Sequence, residues 1–160
     1  MSAAAPGFPG KLDLVEFFTG RASAWGMVVD RRGRVRRRFH VDIEGVLRNG
    51  CLMLDESFRF DDGATDMRLW TIDARDGSYV GTASDVLGAA SGTVAGPLLN
   101  WSYDLLLPVG RRRVRVRFDD WMALADDDVM LSRGTIRKFG LRVAEVIIAF
   151  RRGAPGAVAA

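Results

Sequence analysis

Apolar and polar positions alternate in short runs from Arg21 to Arg151, and Gly- and Asp-containing turns break the runs. The clearest run is Arg34–Leu47. Val35, Phe39, Val41 and Ile43 fall on one face, and Arg34, Arg36, Arg38, His40, Asp42 and Glu44 on the other. A period of two is the mark of a strand with one buried face. The same rhythm predicts strands over Arg21–Val29, Cys51–Phe60, Thr65–Ala74, Ser78–Val86, Leu98–Leu107, Arg111–Leu124, Val129–Ile136 and Gly140–Arg151. Arg48-Asn-Gly50, Asp61-Asp-Gly63 and Arg75-Asp-Gly77 read as hairpin turns. The small-residue stretch Gly88–Gly96 reads as a strand with a bulge or close backbone approach.

No convincing helical period separates these runs, which excludes a parallel α/β fold. One short helix is expected before them, over Leu12–Phe18, with Leu14, Phe17 and Phe18 on one face and Asp13 as its cap. Nine to ten strands at this spacing predict an all-β domain, a single antiparallel barrel closed on itself, with the helix lying across one mouth. The barrel is expected over residues 11–152, between small-residue tails at 1–10 and 153–160.

Charge adds little direction. The net charge is +3, and Lys11 and Lys138 are the only basic residues that are not Arg. Acids nearly balance bases, so no large one-sign field is forced. Two Arg ladders, Arg34/Arg36/Arg38 and Arg113/Arg115/Arg117, would form outward basic stripes. If adjacent, they would make a patch for peripheral contact with anionic lipid. No aromatic rings interleave with them, which argues against nucleic acid as a partner. The single Cys51 excludes an intramolecular disulfide. The longest apolar run falls far short of a membrane-spanning helix. The chain shows neither a basic leader followed by an apolar stretch nor a lipid-accepting Cys near its start, so a cytoplasmic location is expected.

Several islands carry a resemblance. In order they are Phe17-Phe-Thr-Gly20, Ala24-Trp-Gly26, Arg38-Phe39, Glu56-Ser-Phe58, Asp61-Asp-Gly63 with Arg68-Leu-Trp70, Tyr79–Asp85, Asn100-Trp-Ser-Tyr103, Phe118-Asp-Asp-Trp-Met122 and Lys138-Phe-Gly140. Together they resemble the bacterial family called domain of unknown function 3833, over roughly residues 12–151. The resemblance implies a lipocalin-like (calycin) barrel. It also implies envelope association, because many members carry a lipoprotein signal that this chain lacks. It brings no assigned activity, and no cofactor is expected.

Candidate chemistry comes from polar groups that keep step with apolar ones. Arg37 is in phase with Val35 and Phe39, Glu56 with Leu54 and Phe58, and Glu145 with Val143 and Ile147. An unpaired buried charge is too costly to keep, so Arg37 and Glu56, on hairpin-joined strands, are expected to pair. Asp119 and Asp120 are adjacent on one strand, so only one faces inward. The inward one would meet Arg68 or Arg133. Trp25, Trp70, Tyr79, Trp101, Tyr103 and Trp121 would line or fill the interior. Gly26, Gly81, Ala83, Gly92 and Gly96 would leave room. Asp85 completes the polar set.

The remaining polar residues point to no chemistry. His40 lies on the polar face, Cys51 is an ordinary thiol, and Asp126-Asp-Asp128 is a solvated turn. One His and one Cys support neither a zinc site nor a Ser-His-Asp triad.

Three readings follow. The first is a module that binds a small apolar or amphipathic molecule between Trp and Tyr walls with an Arg/Glu/Asp anchor. The second is an isomerase, cyclase or hydrolase that uses Glu56, Asp85 and Asp119 or Asp120 as acid and base, with Lys138 or Arg37 stabilising charge. The third is an envelope-associated structural protein whose Arg stripes meet a partner.

Overall fold

The structure, a computed structural model, describes residues 5–153. Of the expected tails at 1–10 and 153–160, residues 1–4 and 154–160 lie outside that range. Ten strands follow α1 (Leu14–Phe18). They are β1 (Gly20–Asp30), β2 (Val35–Arg48), β3 (Cys51–Phe60), β4 (Thr65–Arg75), β5 (Ser78–Thr82), β6 (Val86–Ala95), β7 (Leu98–Val109), β8 (Arg112–Asp126), β9 (Val129–Lys138) and β10 (Leu141–Arg152). Each strand pairs antiparallel with the next, and β10 returns to pair with β1, so the sheet closes into a barrel. Among the described residues no helix is long and apolar enough to cross a membrane.

The turn chemistry sets this meander. Asn49 and Gly50 both take positive φ, 50° and 78°, in the two-residue loop between Arg48 and Cys51. That geometry twists with the flanking strands, and Asn-Gly tolerates it best. The expected fifth strand ends sooner, at Thr82, and residues 83–85 turn the chain into β6. Gly88, at φ 64°, lies in the register break between Leu87 and Ser91 that lets β6 absorb the small-residue stretch.

One end of the barrel is plugged. The Asp13 side chain accepts from the backbone N–H groups of Val15 and Glu16 (3.0 and 3.1 Å), which caps α1. The Leu12 N–H donates to Gly96 O, and the Leu14 N–H to the Tyr79 hydroxyl, so the segment is tied across the β6–β7 and β4–β5 end of the wall. Leu14, Phe17 and Phe18 are buried, and Phe18 meets Phe150 edge-on at 5.5 Å between ring centroids. Gly45 makes this approach possible, since a Cβ there would lie 1.8 Å from Phe18 O. The other end, formed by the β1–β2, β3–β4, β5–β6, β7–β8 and β9–β10 connections, is the mouth.

Candidate functional site

The barrel interior is hollow. A cavity of about 810 Å³ runs from the plug, where Leu14, Phe18, Leu99 and Phe150 form its floor, to the mouth at Val28, Arg36, Thr65 and Val109. This volume falls in the range of ligand-sized pockets. The wall is built by alternation: Phe39, Val41 and Ile43 from β2, Leu54, Glu56 and Phe58 from β3, and Arg68, Trp70 and Ile72 from β4 all point inward.

Polar groups gather at mid-height. Glu56 stands opposite Arg68 in the β3–β4 register. Arg68 does not spend its guanidinium on Glu56. It binds Asp85, in the β5–β6 connection, through Nε at 3.1 and 3.2 Å and Nη2 at 2.8 Å. Burial opposes the charge on Arg68, but the Asp85 pair outweighs that cost and holds it protonated. Asp120 reaches in from β8 over Gly134, where a Cβ would come within 2.0 Å of its carboxylate oxygen. Tyr103 faces the same space, and burial drives its phenol well above its ordinary value.

Glu56 and Asp120 are both strongly shifted. Burial pushes Glu56 up to about 7, against the pull of Arg68 and a hydrogen bond from Trp70. Burial also lifts Asp120 to about 7, with the negative charge of Asp119 adding to the effect and Arg68 opposing it. Three carboxylates, Glu56, Asp85 and Asp120, thus share one guanidinium, and only Asp85 is directly paired with it.

Aromatic rings form the rest of the wall. Trp70 packs edge-on against Trp101 and Tyr103 at 5.6 and 5.3 Å, and Phe118 stacks on Tyr103 at 5.1 Å. Towards the mouth, Phe39, Phe58 and Phe60 cluster within about 6 Å of one another. The Phe rings escape a reading confined to Trp and Tyr, yet their strand phase marks them as inward.

The structure brings Arg37, Glu56, Arg68, Trp70, Trp101, Tyr103 and Asp120 to the cavity wall. Asp85 joins them through Arg68, whereas Tyr79 is buried at the plug and serves α1. Trp25 and Trp121 point outward and are 46% and 55% exposed. Trp25 pairs with outward His40, and Trp121 keeps step with outward Arg113, Arg115 and Arg117. Asp119 also faces out, accepting from Ser102 at 2.6 Å and lying near Arg117 and Arg137.

The expected Arg37–Glu56 pair does not form. Arg37 extends past the end of β3, binds Asp62 at 3.2 Å and lies 3.5 Å over the Phe60 ring at the mouth. Its buried Nε has no partner among the described residues. Glu145 is outside as well. A register break between Arg142 and Ala144 shifts the phase of β10, so Val146, Ile148 and Phe150 line the interior while Glu145 binds Arg133 and Arg142.

Gly26, Gly81 and Gly92 are not empty space. The Phe39 ring occupies the first, and the Trp101 indole the other two. The Arg ladders do not merge along the wall, because β1, β10 and β9 stand between β2 and β8. Arg36 and Arg38 bind Asp30 and Asp61, whereas Arg115 and Arg117 bind Asp104. Lys138 sits on an outer hairpin, away from the cavity wall.

Comparison with known proteins decides the family. The profile described as "Protein of unknown function (DUF3833)" matches residues 7–152. The chain belongs to the DUF3833 family. No curated protein matches this DUF3833 chain in sequence. Among solved structures, the chain is similar to a protein of unknown function of the DUF3598 family from Nostoc punctiforme. The TM-score is 0.64 at 12% identity, over 96% of this chain and 54% of that one, so the chain spans about half the length of the Nostoc protein. It is also similar to the S-type phycobiliprotein lyase CPES from Guillardia theta. There the TM-score is 0.61 at 7% identity, over 88% of this chain and 91% of the lyase. At such identities the likeness is one of fold, and these neighbours agree with a lipocalin-like barrel.

Proposed function

We propose that the barrel binds a small elongated amphiphile, with its apolar part against the aromatic wall and a hydrogen-bonding group at the Glu56–Arg68–Asp120 level. The observation that carries this reading is a ligand-sized cavity, open at one end, whose largely apolar lining carries a polar belt at mid-height, apart from the polar residues of the mouth. The belt also favours a head-group chemistry. Its one guanidinium is already committed to Asp85, and two further carboxylates face the cavity. A ligand carboxylate would add a fourth acid to a water-poor site, at a cost. A hydroxyl or protonated amine would instead satisfy Glu56 and Asp120.

The test is a titration of delipidated protein at pH 8 with a long-chain primary amine, alcohol and carboxylate of equal length, read by native mass spectrometry. The expected order is amine, then alcohol, then carboxylate, with Glu56→Gln weakening the amine most. Absence of saturable binding for all three would remove the reading.

A second reading rests on the same two carboxylates. Groups poised near neutrality in one pocket suit proton transfer. In that case an amphiphile that copurifies with the protein would be converted on incubation with the wild type and left unchanged by Asp120→Asn.

A further inference from the structure

Positive charge without an acidic partner gathers on one side of the mouth. Going around the barrel, β1, β10, β9, β8 and β7 are neighbours, so the β1–β2, β9–β10 and β7–β8 hairpins stand side by side. They carry Arg31, Arg32 and Arg34, then Lys138, then Arg111, Arg112 and Arg113. None of these side chains makes an ion pair among the described residues, whereas the Arg36 and Arg38 side chains just below are both engaged. The β3–β4 and β5–β6 connections, on the other half, carry Asp61, Asp62 and Asp85, each paired with an Arg.

The basic half also has apolar tips. Phe139 is 92% exposed, Leu141 66%, Val109 58% and Val35 52%. Phe139 is the most telling of them. It occupies the first position of the two-residue β9–β10 turn with φ 52°, followed by Gly140 at 76°. The matching turn at the plugged end uses Asn-Gly. An aromatic residue in the left-handed region is strained, and the exposed ring gains little in the free protein beyond the Lys138 ammonium 5.5 Å from its centroid. Both features make sense if the ring is buried in something else.

We propose that this half of the mouth docks on a bilayer surface containing anionic lipid, with Phe139 and Leu141 entering the interface and the unpaired Arg and Lys residues meeting headgroups. Basic side chains flanking exposed apolar ones are the combination such a surface selects. The docking does not depend on what the cavity holds, although it would set the cavity opening against the lipid.

Vesicle flotation of the full chain tests it. One set of vesicles is phosphatidylcholine alone, and the other is three-quarters phosphatidylcholine and one-quarter phosphatidylglycerol. Binding is expected only to the second set, and it should fall as salt rises. Phe139→Asn should weaken partitioning about tenfold while raising the melting temperature, because Asn tolerates the turn. Arg111→Glu with Arg112→Glu should weaken partitioning by tenfold or more. Arg48→Glu, at the plugged end, should leave it unchanged.

Equal partitioning onto neutral vesicles, or none onto anionic ones, overturns the proposal. So does a Phe139→Asn variant that binds as the wild type does. Retention on nucleic acid or an acidic protein without vesicle binding would assign the surface to a different partner.

Discussion

Glu56 and Asp120 show how a single environment resets a side chain. Each prefers its proton in the folded protein up to about pH 7, whereas the unfolded chain releases it near the ordinary carboxylate value. Between about pH 4.5 and 7 the native state therefore holds more protons than the unfolded one, and stability falls as pH rises through that window. Glu56→Gln should reduce the slope, leaving the part due to Asp120, and raise stability at pH 8 by about 3 kcal/mol, as read by urea unfolding at pH 5 and pH 8. The inward phase of Glu56 was legible in its step with Leu54 and Phe58. Its partner was not, because pairing depends on hairpin register, and Arg37 overshoots the end of β3. Trp25 and Trp121 carry the opposite lesson. Their chain phase already placed them with outward residues, and ring chemistry alone was a poor guide to which side they face.

At the scale of elements, the turns and the helix were readable because each rests on local chemistry: Asn49-Gly50 for a tight hairpin, and Asp13 for the first turn of α1. The bulge in the small-residue stretch of β6 was readable from its glycines, but two others were not. The irregularities at Val28/Val29 and Arg142/Ala144 arise from fitting one strand against another and leave no local mark, yet the second carries Glu145 out of the barrel. The plug makes a sharp prediction. At Gly45 an added methyl group meets a backbone carbonyl, which cannot rotate away as a side chain can. Gly45→Ala should cost about 2 kcal/mol or more in thermal unfolding. It should also loosen α1 before the wall, seen as faster hydrogen exchange at the Leu14 amide that Tyr79 now holds.

Taken as a whole, the molecule divides its four Trp evenly, with Trp70 and Trp101 inside and Trp25 and Trp121 outside. A ligand in the cavity should quench the first pair, and iodide in the solvent the second. Trp70→Phe with Trp101→Phe should abolish ligand quenching and leave iodide quenching intact. Trp25→Phe with Trp121→Phe should do the reverse. The way the wall closes has its own consequence. Every strand pairing but one joins sequence neighbours, and the exception sets Ala22 against Arg152. That seam demands the largest loop closure, so it comes late in folding. Until it zips, β1 and β10 each offer a bare row of amides and carbonyls. The nascent chain is thus most prone to self-association in the interval before its first and last strands meet.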